Sequence, residues 1–210
     1  MELASAVQAV KASGVGAAAA SLRMPDGSKL AAAALHHEYG SHLFFSHKQD
    51  KGQGQVASAR SDVLLLTKGV TLFVDVEAYE FEGLGDLEQL TEQPQNFLLL
   101  LTDGIFDSQY VVANELLVAL MHNIPIIVMR ETDTQHGTGG LMMQEFREQF
   151  FASQHVQAVV AKPEVMQAGW DAAKMADFLL NEKSDHDVLH LEWHRERAMK
   201  NATLKAIVER

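Results

Sequence analysis

The stretch NFLLLLTDGIFDSQYVVANELLVALMHNIPIIVM, residues 96–129, decides the fold. Two short apolar runs, NFLLLLT at 96–102 and IPIIVM at 124–129, flank a segment at 108–122 that is apolar almost throughout and has helical length. Apolar runs that do not alternate with polar residues read as strands covered on both faces. A strand, a crossover helix and a second strand then form a parallel βαβ unit.

Working outward, HLFFSH (42–47), TLFVDV (71–76) and VQAVVA (156–161) read as three more strands. Helical patterns fall near 55–68, 84–93, 141–153 and 164–181, the last on Met166, Trp170, Ala173, Ala176 and Leu180. This alternation predicts an α/β protein, a flavodoxin-like five-stranded parallel sheet with helices on both faces. Ligands sit at the carboxyl ends of such strands, which selects the loops after Ser46, Asp75, Thr102, Met129 and Ala161.

Three regions follow: an Ala-rich extension at 1–38 with a turn at Pro25-Asp26-Gly27, a main domain at 39–182, and a C-terminal extension at 183–210. The last mixes an alternating VLHLEW with a charged segment in which Leu204, Ile207 and Val208 form an apolar stripe. Such a stripe needs cover. It either folds back onto its own domain or helps build a homo-oligomer.

The 210 residues carry a net charge of −11 and are 47% apolar, enough for a sizeable core. The negative field opposes direct nucleic-acid binding. With no cysteine, disulfides, thiolate zinc sites and cysteine nucleophiles are excluded. No secretory pattern and no run approaching the roughly 20 residues of a membrane span is seen, so a cytoplasmic protein is expected.

Several motifs are missing: GxGxxG after a strand, GxxxxGK[ST], GxSxG and HExxH. His186, His190 and His194 would align for a metal only on a helix, and alternation competes with that reading, so no metal site is expected. A phosphoacceptor receiver would need a carboxylate pair after the first strand, where this chain has Ser46-His47-Lys48. Asp103-Gly104 then reads as a turn or the start of a helix.

Glu115 interrupts the apolar helix. Val111, Val112, Val118 and Ala119 surround it at helical spacing and offer no cation, so desolvation disfavours its charged form and makes it a site candidate. The loop Asp75 to Asp86 holds five acids, two aromatics and two glycines in twelve residues. It is either a solvated connection or a binding or assembly loop; Gly83 and Gly85 supply the backbone freedom to gate a site.

Taken together, LFFSHKQ, TLFVDVE, NFLLLLTDGIFDS, NELLVAL and IPIIVM resemble the ordered boxes of Toll/interleukin-1 receptor (TIR) domains over residues 41–181. The resemblance is strongest to catalytic TIR domains, which cleave NAD⁺. It implies Glu115 as catalytic carboxylate, Ser46, His47 and Lys48 beside the nucleotide, and Asp75 and Glu80 at the mouth of a mobile loop. Many family members have tryptophan four residues before the glutamate; this chain has Val111 there and Tyr110 one step earlier, an offset of roughly 100° on an α-helix. Tyr110 would reach the pocket from the helix start. NAD⁺ is then a substrate with no resident cofactor, and the active form is a homo-oligomer built through TIR–TIR contacts. The alternative is a non-catalytic TIR scaffold acting by homotypic assembly.

Overall fold

The computed structural model describes residues 41–48, 57–59, 61–62, 70–74, 94–132, 134, 139–183, 188–194 and 197–209. Strands β1 (Ser41–Ser46), β2 (Leu72–Val74), β3 (Pro94–Leu101), β4 (Ile126–Glu131) and β5 (Val188–Trp193) form one sheet in the order β2-β1-β3-β4-β5. Every pairing is parallel. The order is compatible with a flavodoxin-like arrangement.

The first four strands lie where the apolar runs placed them, and in β1, β3 and β4 those runs are buried on both faces. Residues 97–101 of β3 are fully buried, and Phe97 sits in register beside Phe44 of β1 with the rings stacked at 5.6 Å. One face is covered by α1 (a helical segment at Tyr110–Met121), α2 (Met143–Ala152), α3 (Gln154–Val160) and α5 (Ala172–Leu180). The helix α4 (Pro163–Gln167) adds Val165 to that layer. The opposite face buries Leu43, Phe45, Leu98, Leu100, Ile127 and Met129 beneath Ala59 and α6 (Arg197–Glu209).

Two departures concern the fifth strand. VQAVVA at 156–161 is helix α3, not strand: Val156 and Val159 are buried while Gln157 and Ala158 are exposed, a helical stripe. Its start is capped by the Ser153 hydroxyl, which accepts from the Val156 N–H at 3.3 Å. The fifth strand is instead VLHLEW, from the segment expected to be an extension, and it pairs with β4 from Val188 to Trp193. Leu189, Leu191 and Trp193 join the second core while His190 and Glu192 point the other way, the alternation of a sheet edge with one face covered.

Helix α6 completes that face. Leu204 and Ile207 are buried in the core, and the Thr203 hydroxyl donates to the Glu192 carbonyl at 2.6 Å. Those two stripe residues are therefore covered by their own sheet, which removes the solvent-exposed tail as an argument for oligomer building. The 1–38 extension and the helix expected at 84–93 lie outside the described residues.

The helix expected at 164–181 is two, α4 and α5. Gly169 takes φ +83°, its N–H bonds to Met166 O, and the Trp170 N–H bonds to Val165 O, a Schellman stop. Helix α1 stops the same way, with Asn123 at φ 55° and the Ile124 N–H bonded to Ala119 O. Among the described residues no helix is long and apolar enough to cross a membrane.

Candidate functional site

The carboxyl end of β1 places Ser46 on the same face as Phe44, and His47 follows directly after the strand. Ser46 is fully buried and His47 is 1% exposed. The Ser46 hydroxyl donates to Glu115 Oε2 at 2.5 Å across 69 residues of sequence. Glu115 is itself 1% exposed, so the interaction is between two desolvated groups. A hydroxyl donor offsets part of the cost of burying a carboxylate and holds it in one rotamer.

The backbone around Glu115 is not an ordinary α-helix. Tyr110–Leu116 forms a wide π-type turn, closed where the Leu117 N–H reaches Val112 O, before α-helix resumes at Leu117–Met121. Such turns bond residues five apart and recur at functional sites. Tyr110 is 47% exposed, at the solvent end of the segment, while Val111 is buried.

After β3 the chain makes a tight corner. Gly104 has φ +71°, a left-handed conformation that suits glycine, and the Ile105 N–H closes onto Thr102 O at 3.0 Å. Asp103-Gly104 is thus the turn the sequence implies. Gln149 of α2 grips it: its Nε2 donates to Asp103 Oδ1 at 2.8 Å and its Oε1 accepts from the Gly104 N–H at 2.9 Å. Lys48, one residue beyond His47, lays its ammonium over the same corner; a methyl group on Gly104 would come within 3.0 Å of Nζ.

The structure therefore joins Ser46 to Glu115 and brings Lys48 to the β3 corner, with His47 buried next to Ser46 in the chain and Tyr110 exposed at the start of the helical segment. Asp75, Glu80, Gly83 and Gly85 lie outside the described residues. Sequence reasoning missed Gln149 and Gly104 as site-supporting residues. A glycine directly after the third strand was the available sign; Gln149, 45 positions away, had none.

A second polar grouping lies at the carboxyl ends of β4 and β5. Arg130 pairs with Glu192 and donates to Leu141 O at 3.1 Å. His194 Nε2 lies 3.0 Å from Glu192 Oε2, and its Nδ1 lies 3.2 Å from the Thr132 hydroxyl. The histidine row is not helical: His190 is on β5 and His194 just beyond it, and four residues of strand separate them by about 13 Å. Among the described residues no three His, Asp or Glu side chains converge as a metal site requires. Burial pushes the His190 imidazole below 6.5, partly opposed by the charge of Glu182.

No family model matches the chain, and no curated protein matches it either. Fold and site together define an α/β protein with a parallel sheet whose carboxyl edge holds a buried Ser–Glu pair.

Proposed function

We propose that the chain is a TIR-fold NAD⁺ glycohydrolase with Glu115 as its catalytic carboxylate. The observation that carries this reading is a glutamate 1% exposed at the carboxyl edge of a parallel sheet, hydrogen-bonded to the last residue of β1. The five sequence boxes that resemble TIR domains supply the rest.

The chemistry suits a lone carboxylate. Heterolysis of the C1′–N bond sends the bonding pair to the pyridinium nitrogen, so nicotinamide departs neutral and needs no general acid. The ribosyl centre left behind is oxocarbenium-like, and a fixed anion in a water-poor site stabilises it or captures it covalently. Water attack at C1′ gives ADP-ribose and a proton; attack by an adenine nitrogen gives a cyclic product. In this reading the Lys48 ammonium, near Gly104, would serve the pyrophosphate, and the exposed Tyr110 ring would offer a stacking surface.

A carboxylate this buried meets substrate only after the site opens, so assembly through TIR–TIR contacts is part of the proposal. It would act in the cytoplasm, in signalling or immune cell-death responses. The same burial favours a second reading, in which Ser46–Glu115 is a structural pair and the protein is a non-catalytic scaffold.

Nicotinamide release from NAD⁺ by purified protein at high concentration separates them. The parent should release nicotinamide, and Glu115→Gln should reduce kcat by about a hundredfold to a thousandfold. A variant as fast as the parent removes Glu115 from the chemistry. An assembled parent that releases none leaves the scaffold.

A further inference from the structure

We infer that Gln149 is a positioning residue of the Glu115 site, its side-chain amide clamping the corner from which the π-type turn is launched. Both ends of the amide are used on adjacent residues. Oε1 accepts from the Gly104 N–H at 2.9 Å and Nε2 donates to Asp103 Oδ1 at 2.8 Å. The orientation is dictated by the partners: reversing the amide would set oxygen against carboxylate and NH₂ against N–H.

From that corner the hydrogen bonds run without a break to the carboxylate's own turn. The Ile105 N–H bonds to Thr102 O, the Asp107 N–H to Gly104 O and the Ser108 N–H to Ile105 O. The Val112 N–H then bonds to Ser108 O, and the Leu117 N–H closes the wide turn on Val112 O. A shift at Gly104 therefore moves the start of the segment that holds Glu115 against Ser46. It also moves the face of Gly104 over which the Lys48 ammonium lies, so one clamp sets two groups that the proposed reaction needs in register.

Gln149 is not what keeps α2 docked. Phe150, the next residue, is fully buried with its ring edge-on to Phe106 at 5.0 Å, and the Ser153 hydroxyl donates to Phe106 O at 2.5 Å. The apolar contact and the serine tie hold the helix to the loop, whereas half-buried Gln149 sets the angle of the corner.

The assignment rests on the NAD⁺-cleavage reading for its kinetic consequence, and its test has an arm that does not. Gln149→Glu sets a carboxylate against Asp103 and should lower kcat by about ten- to a hundredfold with little change in KM. The Gln149→Glu/Asp103→Asn double variant keeps an acceptor for the Gly104 N–H and supplies from position 103 the donor that the single variant lacks, and should return kcat to near the parent. Gln149→Leu should melt within a few degrees of the parent while amide exchange accelerates at Gly104 and through Val111–Leu116. No rescue by the double variant, or a Gln149→Leu protein with parental exchange across Val111–Leu116, overturns the assignment. A parent without nicotinamide release defeats the activity reading alone, and the exchange arm then decides the clamp.

Discussion

The carboxyl edge of the sheet carries two polar groupings that obey different physics. At β1 and β3, Ser46 and Glu115 are shut away from water and bonded to each other. At β4 and β5, Arg130, Glu192, His194 and Thr132 form a chain in which the Glu192 side chain is 46% exposed. Both contain a carboxylate with a donor. In the first, water cannot take the place of a lost partner, so the carboxylate bears a desolvation cost. In the second, solvent reaches the carboxylate, although the Arg130 side chain is only 11% exposed, and screens its charge. A polar contact thus becomes consequential through burial rather than through charge.

Ser46→Ala tests that contrast most sharply. Losing a hydrogen bond to a buried carboxylate should cost about 1–3 kcal/mol, read as a lower Tm and a lower urea midpoint. If cleavage of NAD⁺ is the activity, kcat falls as well, because the carboxylate loses its fixed rotamer. Stability equal to the parent would erase the distinction between the two groupings.

Glu192→Gln is the matched control at the other end of the sheet. It replaces the charge facing His194 and Arg130, whose own side chain is only 11% exposed, with a neutral acceptor still open to water, and should change stability by about 1 kcal/mol or less. Urea unfolding at low and high salt measures it. A loss as large as that of Ser46→Ala would mean that the β4–β5 chain behaves as a buried network.

The smallest expected effect is a pH dependence at His190. Burial holds its imidazole below 6.5, so the folded chain binds fewer protons there than the unfolded chain. Stability should therefore be undiminished above 6.5 and decline as pH falls through the acidic side of that value. The Nδ1 atom is buried with no hydrogen-bond partner among the described residues, so charging the ring gains no hydrogen bond there and the charge of Glu182 offsets only part of the cost. His190→Gln should lessen the fall in urea midpoint between neutral and mildly acidic buffer. Parallel pH profiles for parent and variant would exclude His190 as a source of acid sensitivity.

Local periodicity determined much of this molecule. Continuous apolar runs located β1 to β4, and for β1, β3 and β4 the reason is that a strand covered on both faces has no polar alternation. The apolar surroundings of Glu115 announced its burial from the sequence, and Asp103-Gly104 announced a turn. Where burial is one-sided or short, the same signal fails. VQAVVA is too short and too rich in β-branched residues for composition to separate strand from helix, and Ser153 as a cap was the decisive mark. VLHLEW alternates because it is a sheet edge, which made a strand of the fold look like a tail.

Other features belong to the tertiary structure alone. The wide turn at Tyr110–Leu116 has no sequence signature, since bonding five residues apart depends on how α1 docks between the β3 corner and the layer beneath it. The meeting of Ser46 with Glu115 and of Gln149 with Gly104 required strand order, register and the docking of α2. Periodicity reports which face of an element is buried, a property each element owns by itself. Which side chains then touch is set by how those faces are stacked, and that information is shared among residues 45 to 69 positions apart.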